Sequence, residues 1–196
     1  MSMMVAVCVS GRGSNLAALL AALPADGPVS IALVLSNRAE AGALDIARGR
    51  GIPTAVLAPS SDPGQWFGPL EAAAIDFIVL AGFLKRVPEA VVAAYQGRII
   101  NVHPALLPKH GGPGMYGLQV HRAVLAAGET ESGATVHLVT ARYDEGPILG
   151  QARVPVLPGD TPEVLAARVL ETEHRLLPAA VLAAATTGRA VPFTLS

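Results

Sequence analysis

The chain has 196 residues, with 14 lysines and arginines against 15 aspartates and glutamates, and a formal net charge of −1. Apolar residues make up 52% and charged residues 15% of the sequence, a composition that excludes a disordered chain. The balanced charge argues against nucleic acid and against an anionic membrane as partners, because both favour a basic excess. The low charge density is compatible with a homodimer.

Cys8 is the single cysteine, so an intrachain disulfide and a four-thiolate metal site are excluded. The N-terminus lacks the basic residues that precede the apolar run of a signal peptide. The longest apolar stretches, residues 72–84 and 176–185, are shorter than the ~20 residues that a membrane helix needs. We therefore expect a cytoplasmic protein, and the absence of repeats and linkers predicts a single domain over residues 1–196.

Short Val/Ile-rich runs alternate with Ala/Leu-rich amphipathic stretches through the first half of the chain. The runs predict strands at residues 4–9, 29–36, 54–57, 77–80 and 98–102. The stretches between them predict helices at 15–22, 39–50 and 65–74, and a further helix that begins at Pro88. Continuous apolar strands separated by helices indicate a parallel sheet that is covered on both faces.

The second half has a different pattern. Residues 103–117 are rich in proline and glycine and predict an unusually long loop, which in compact domains is commonly functional. A helix at 120–127 precedes strands at 135–140 and 148–155, which are too close in sequence for a helical crossover and are predicted to be antiparallel. Thr161 begins a final helix that extends to about residue 184 and is expected to bend or break at Pro178. The predicted fold is α/β: a mostly parallel, doubly wound sheet with an antiparallel strand pair in the C-terminal half and a long C-terminal helix.

A glycine-rich loop lies between the first predicted strand and the first helix, with the sequence Gly11, Arg12, Gly13, Ser14, Asn15. Backbone N–H groups at a helix start attract anions, and glycines allow an anion to approach closely. The next residue is leucine where a dinucleotide fingerprint has its third glycine, and no Lys-Ser/Thr pair follows as in a P-loop. The loop therefore favours one phosphate over a pyrophosphate, with a tight capped turn as the structural alternative.

Asn101 and His103 stand at the end of a predicted strand, two residues apart, so their side chains face the same side. Open α/β sheets bind ligands at the carboxyl ends of their strands. Histidine exchanges protons near neutrality, and asparagine supplies an uncharged donor for a developing oxyanion. The pair favours a catalytic site, with a structural histidine before Pro104 as the alternative.

Asp144 lies in Asp-Glu-Gly-Pro, which is first of all a turn sequence. Its carboxylate would orient His103 and favour the charged imidazole, or pass a proton through water. This interpretation depends on the two residues being close in space. A purely structural turn remains the alternative.

Other polar residues give weaker signals. His137 alternates within a predicted strand and is interpreted as a core or face residue, and Glu173 as part of a solvated helix face. Lys85 and Arg86 either meet an acidic ligand or are solvated. No two histidines have metal-ligand spacing, so no catalytic metal is expected.

Four segments occur in the order seen in the phosphoribosylglycinamide formyltransferases, the folate-dependent enzymes of purine biosynthesis. They are the glycine loop at 11–15, Leu-Ala-Gly-Phe at 80–83, Asn-Val-His-Pro-Ala-Leu-Leu-Pro at 101–108 and Asp-Glu-Gly-Pro at 144–147. The resemblance extends from residue 4 to about residue 192. The 101–108 segment is similar to formyltransferases in general, and the glycine loop to the branch that acts on a phosphoribosyl substrate.

The resemblance implies a formyltransferase-like fold and a role for each motif. The N-terminal half, about residues 1–100, would hold the ribose phosphate through the loop at Gly11, Arg12, Gly13, Ser14 and Asn15, and Glu173 would contact the ribose hydroxyls. The C-terminal half, about 101–196, would supply a catalytic trio of Asn101, His103 and Asp144. The pocket for the co-substrate 10-formyltetrahydrofolate would be lined by Leu84, Lys85, Arg86, Val87, Asn101, Thr140 and Asp144.

In the implied reaction the substrate amine attacks the formyl carbon directly, without a covalent enzyme intermediate. Charged His103 and Asn101 would hold the oxyanion. Asp144 would keep His103 charged and help to move a proton from the incoming to the leaving nitrogen. The partners would be small molecules only.

The sequence departs from the common family pattern in two places. The loop at 109–117 is longer and richer in glycine than in many members, and residues 84–87 read Leu-Lys-Arg-Val where Met-Arg-Ile-Leu is common. Contacts with the pterin and its glutamate tail are therefore expected to be rearranged.

Several alternatives remain. Methionyl-tRNA formyltransferase carries an added C-terminal domain, formyltetrahydrofolate deformylase usually has an N-terminal regulatory domain, and sugar-amine formyltransferases typically lack the early phosphate loop. A non-catalytic phosphosugar-binding module would keep the glycine loop but would not need the trio. A plain dinucleotide-binding domain is disfavoured by the leucine that follows the glycine loop.

Overall fold

The computed structural model describes residues 2–195, which form seven strands and six helices. The strands are β1 (Met3–Val9), β2 (Val29–Ser36), β3 (Thr54–Val56), β4 (Phe77–Leu80), β5 (Ile99–His103), β6 (Glu131–Leu138) and β7 (Ile148–Pro155). The helices are α1 (Ser14–Ala22), α2 (Gly42–Gly49), α3 (Gly64–Ala72), α4 (Glu89–Ala94), α5 (Leu118–Ala126) and α6 (Pro162–Ala185).

The strands form one sheet in the order β3-β2-β1-β4-β5-β6-β7. The first five strands of the chain are parallel to one another, whereas β6 is antiparallel to both β5 and β7. The predicted fold class, with its antiparallel pair and long C-terminal helix, is confirmed. The strand order reverses at β1 and β4, and open sheets bind their ligands beside such a reversal.

Two apolar clusters cover the two faces of the sheet. One combines alternate residues of β1 such as Val5 and Val7 with α1, α2 and α6, and the other combines Ala6 and Cys8 with α3 and α4. The period-two alternation of β1 therefore supplies both cores, because both faces are covered by helices. Cys8 is fully buried, as predicted, and burial raises the pKa of its thiol.

Most predicted boundaries differ from the structure by one or two residues, and three elements differ by more. β6 begins at Glu131 rather than 135, because backbone pairing with β7 recruits the polar Glu-Ser-Gly stretch that has no apolar pattern of its own. α2 begins at Gly42 rather than 39. α6 continues through Pro178 without a break, because Leu176, Leu177 and Val181 around it are fully buried and their burial outweighs one lost backbone hydrogen bond.

Nowhere within residues 2–195 is a helix both long and apolar enough to cross a membrane.

Candidate active site

A cleft of about 780 Å³ is lined by residues that follow β4, by the carboxyl end of β5 and by the segment after β6. One side is formed by the 112–118 stretch of the long loop, and α6 contributes Glu173. Pockets for small ligands have volumes of this order. The cleft lies where the topology places the ligand site of an open α/β sheet.

β5 presents Asn101 and His103 to the cleft, while Val102 between them packs into the core. His103 is 3% exposed, and its Nε2 lies 2.8 Å from the carbonyl oxygen of His110. A carbonyl only accepts hydrogen bonds, so Nε2 donates and carries a hydrogen. The other ring nitrogen, Nδ1, faces the carboxylate of Asp144, with 3.6 Å between Nδ1 and Oδ2.

Asp144 is held in a turn with a positive φ of 53°, a conformation that aspartate tolerates better than most residues. Its Oδ2 accepts a hydrogen bond of 2.9 Å from the backbone N–H of Gly112, which connects the turn to the long loop. The structure therefore brings Asn101 and His103 of β5 and Asp144 of the β6–β7 turn, two separate stretches of sequence, into one cleft.

His137, predicted above to be a core or face residue, is buried and also lines the cleft. It pairs with Asn101 across β5 and β6, its Nε2 accepts a hydrogen bond of 3.0 Å from Asn101 Nδ2, and it lies 3.4 Å from Asp144 Oδ1. Its Nδ1 donates to the carbonyl oxygen of Leu138 at 3.1 Å. The imidazole of His137 thus orients the Asn101 carboxamide and occupies one of the two N–H bonds of Asn101 Nδ2. The available signal was a histidine in the strand that leads to the Asp144 turn.

The charge expected on His103 is not favoured in the unliganded site. Burial lowers the pKa of His103 below its ordinary value, although the neighbouring carboxylate of Asp144 opposes this change. Burial raises the pKa of Asp144, but the neighbouring imidazoles of His137 and His103 and the hydrogen bond from the Gly112 N–H together outweigh burial, so the pKa lies below the ordinary value. At neutral pH the pair is an ionised Asp144 beside a neutral imidazole.

Glu173 is buried rather than solvated, and its Oε2 accepts a hydrogen bond of 2.7 Å from Asn15 Nδ2. Burial raises the pKa of Glu173 to about 7, with the Asn15 hydrogen bond opposing the rise. Among residues 2–195 no partner is found for the buried Oδ1 of Asn15. This pair connects the start of α1 to α6.

The glycine loop is shaped by close packing. Gly13 has a φ of 87°, and a Cβ there would lie 2.6 Å from the Cβ of Ala43, so only glycine fits. Within the described part of the chain no side chain caps the start of α1 at Ser14. Its first backbone N–H groups are therefore available to an anion. Arg12 lines the cleft, whereas Gly11, Gly13, Ser14 and Asn15 do not line it directly.

The segment at 84–87 also lines the cleft and is fixed from two sides. The hydroxyl of Ser10 accepts a hydrogen bond of 2.8 Å from the backbone N–H of Leu84. Arg86 Nη2 donates to the carbonyl oxygen of Ala141 and to Glu89 Oε1, each at 2.7 Å. Every residue of the predicted folate set lines the cleft: Leu84, Lys85, Arg86, Val87, Asn101, Thr140 and Asp144.

The chain was compared with known proteins. The family described as formyl transferase matches residues 3–181. The chloroplastic phosphoribosylglycinamide formyltransferase of Arabidopsis thaliana is 43% identical over 180 residues, which are 87% of this chain and 61% of the plant protein. The chain thus spans less than two thirds of that relative's length. The Escherichia coli (strain K12) phosphoribosylglycinamide formyltransferase is 38% identical over 183 residues, which are 90% of this chain and 84% of the bacterial protein.

The fold comparison agrees. The crystal structure of phosphoribosylglycinamide formyltransferase from Anaplasma phagocytophilum has a TM-score of 0.87 and 40% identity, covering 95% of this chain and 88% of that one. The family match covers the glycine loop, the strand with Asn101 and His103, the Asp144 turn and Glu173 alike. The chain belongs to the formyl transferase family, and the relatives described above are phosphoribosylglycinamide formyltransferases.

Proposed function

We propose that this protein transfers the formyl group of 10-formyltetrahydrofolate to the amine of phosphoribosylglycinamide, a step of purine biosynthesis. The observation that carries the proposal is the convergence of Asn101, His103 and Asp144 in one cleft that also contains Arg12 and Glu173. The names of the relatives indicate phosphoribosylglycinamide as the acceptor of a formyl group, and 10-formyltetrahydrofolate is the donor that the family resemblance implies. Both substrates are small molecules, and the reaction as written needs no metal.

The phosphoribosyl end is assigned to the glycine loop and α6. Arg12 and the N–H groups at the start of α1 would hold the phosphate, since a helix start and a guanidinium both favour an anion. Glu173, once ionised, would accept hydrogen bonds from the ribose hydroxyls. Asn15 positions that carboxylate through its 2.7 Å hydrogen bond.

The pterin is assigned to the segment at 84–87 and to the residues after β6. Leu84 is 47% exposed on the cleft wall and offers an apolar surface to a ring. Arg86 already donates to Ala141 and Glu89, so within the 84–87 segment Lys85 is the cation that could bind an acidic tail. In the unusual Leu-Lys-Arg-Val sequence, Leu84 therefore serves the ring, Lys85 serves the acidic tail and Arg86 fixes the segment.

The hydrogen bond from His103 Nε2 to the His110 carbonyl leaves Nδ1 as the ring nitrogen that can exchange a proton in the cleft. The amine nitrogen attacks the formyl carbon, and the oxyanion that forms accepts a hydrogen bond from the second N–H of Asn101 Nδ2. His103 Nδ1 takes the proton that the attacking nitrogen releases. The resulting imidazolium is stabilised by Asp144, 3.6 Å away, and returns the proton to the folate nitrogen as its bond to the formyl carbon breaks.

The test is a spectroscopic formyl-transfer assay with purified protein and both substrates. We expect donor consumption to require phosphoribosylglycinamide, and we expect Asn101→Ala and His103→Ala to fold but to lose about 10²–10³-fold in turnover. Gln96→Ala, which removes an exposed carboxamide outside the cleft, is the control and should keep full turnover.

Two outcomes would contradict the proposal. Donor consumption that is independent of the ribonucleotide would indicate hydrolysis of the formyl group. Near-full turnover in either alanine variant would remove the assigned mechanism.

A further inference from the structure

The long loop after β5 returns to His103 through one backbone group. The carbonyl oxygen of His110 accepts a hydrogen bond of 2.8 Å from His103 Nε2. This contact fixes the imidazole hydrogen on Nε2 and leaves Nδ1 directed at Asp144. The position of the His110 carbonyl therefore decides which nitrogen of His103 can accept a proton in the cleft.

His110 adopts a backbone conformation that non-glycine residues rarely take. Its φ is 56°, in the left-handed region, which is strained for a residue with a side chain. Such a conformation persists only where its surroundings hold it. The side chain of His110 supplies that restraint, because its Nε2 lies 3.3 Å from Glu129 Oε1.

Glu129 is itself firmly placed between α5 and β6. Its backbone N–H donates to the carbonyl oxygen of Val124 in α5, and the next residue, Thr130, accepts from Val156 beyond β7. Both carboxylate oxygens of Glu129 lie 3.0 Å from Lys109 Nζ. The Lys109 side chain is 67% exposed, so its ion pair with Glu129 lies in water and contributes little.

We propose that His110 and Glu129 act together as positioning residues: they hold the His110 carbonyl against Nε2 of His103 and so set the tautomer of the catalytic imidazole. Neither residue touches the reacting atoms. The effect on turnover rests on the proposed function, whereas the effect on the tautomer does not. The pair is called the His110–Glu129 anchor below.

The anchor is tested by ¹⁵N NMR of histidine-labelled protein at a pH where His103 is neutral. In the wild type we expect His103 to be the Nε2–H tautomer alone. Glu129→Ala should release the carbonyl and give a mixture of tautomers. Glu129→Gln keeps an acceptor for His110 Nε2 and should restore the wild-type spectrum, and Lys109→Met, which breaks only the exposed ion pair, is the matched control.

Turnover gives the second readout. We expect Glu129→Ala to lower kcat by up to about tenfold, because it weakens the neutral hydrogen bond between His103 Nε2 and the His110 carbonyl. KM for both substrates should stay within about twofold of the wild type. Glu129→Gln and Lys109→Met should keep wild-type kcat. His110→Phe keeps an aromatic ring without the nitrogen and should match Glu129→Ala, and the double variant should be no worse than either single one.

The outcomes separate the two proposals. If Glu129→Ala and His110→Phe leave both the tautomer and kcat unchanged, the anchor does not exist. A changed tautomer with unchanged kcat would overturn its role in turnover. If the wild type transfers no formyl group, the proposed function fails, and the tautomer measurement alone then decides on the anchor.

Discussion

A carboxyl group as deeply buried as that of Glu173 has opposite effects on folding and on binding. Its ionised form is what a ribose hydroxyl would need, yet burial raises its pKa from 4.5 to about 7. Between those values the folded protein binds more protons than the unfolded chain. The free energy of unfolding therefore decreases as the pH rises from about 4.5 to about 7, by up to about 3 kcal/mol.

Glu173→Gln tests this linkage. The glutamine oxygen still accepts from Asn15, and the variant carries no charge to bury. We expect it to be more stable than the wild type by up to about 3 kcal/mol at pH 8, with a much smaller difference at pH 5, as measured by urea unfolding. The exposed Glu171→Gln on the same helix should change stability by no more than about 0.5 kcal/mol at either pH. Equal stability of wild type and Glu173→Gln at both pH values would contradict the assignment.

At the residue scale, local spacing was informative only for neighbours in sequence. Asn101 and His103 could be predicted to share a side because two residues on a strand always do. His137 could not be assigned to the site, because its relevance depends on the register of β6 against β5. Glu173 was interpreted as solvated because a helix sequence does not say which neighbouring helix covers it, and here that helix is α1, with Asn15.

At the scale of elements, the turn between β6 and β7 depends on Gly146. A Cβ at this position would overlap the carbonyl oxygen of Leu138, which belongs to β6 and cannot move without disturbing the sheet. The turn would have to shift instead, and with it Asp144 two residues earlier. The Asp-Glu-Gly-Pro sequence therefore combines a turn requirement with the placement of the carboxylate.

We expect Gly146→Ala to fold with a loss of about 1–3 kcal/mol and to lose most of its turnover, because Asp144 leaves its place beside His103. Gly68→Ala is the control: it lies in α3 with nothing within 4 Å of the added Cβ, and it should keep turnover and gain up to about 1 kcal/mol of stability. Steady-state kinetics and urea unfolding measure both effects. Wild-type kcat in Gly146→Ala would show that the turn tolerates the side chain.

The elements also mark where sequence patterns stop being informative. The parallel strands β1, β2 and β4 are continuous apolar runs and were located within a residue or two. The start of β6 has no such pattern, since its residues 131–133 are fixed by pairing with β7. The long loop was located by its composition, but the contacts of Gly112 with Asp144 and of His110 with His103 depend on tertiary packing.

At the scale of the whole molecule, the sheet divides the apolar interior into two clusters that share every central strand. Leu176 of α6 is fully buried on one face and Leu70 of α3 on the other. The helix α6 also packs on α1, α5, β6 and β7, so it spans elements from both halves of the sequence. We propose on this basis that the phosphate-binding and catalytic halves are one domain that unfolds as a unit.

Cavities made on opposite faces test this proposal. We expect Leu70→Ala and Leu176→Ala each to cost about 2–5 kcal/mol and to shift one and the same cooperative transition, because removing buried methylenes on either face weakens a shared sheet. Leu157→Ala, at a leucine that is 48% exposed, should cost far less. For each of the three variants, the unfolding midpoint measured by calorimetry should coincide with the midpoint measured by circular dichroism. Two separate transitions, with each substitution lowering the midpoint of only one of them, would instead divide the chain into two domains. The cleft between β5, the glycine loop and α6 would then depend on how those domains dock.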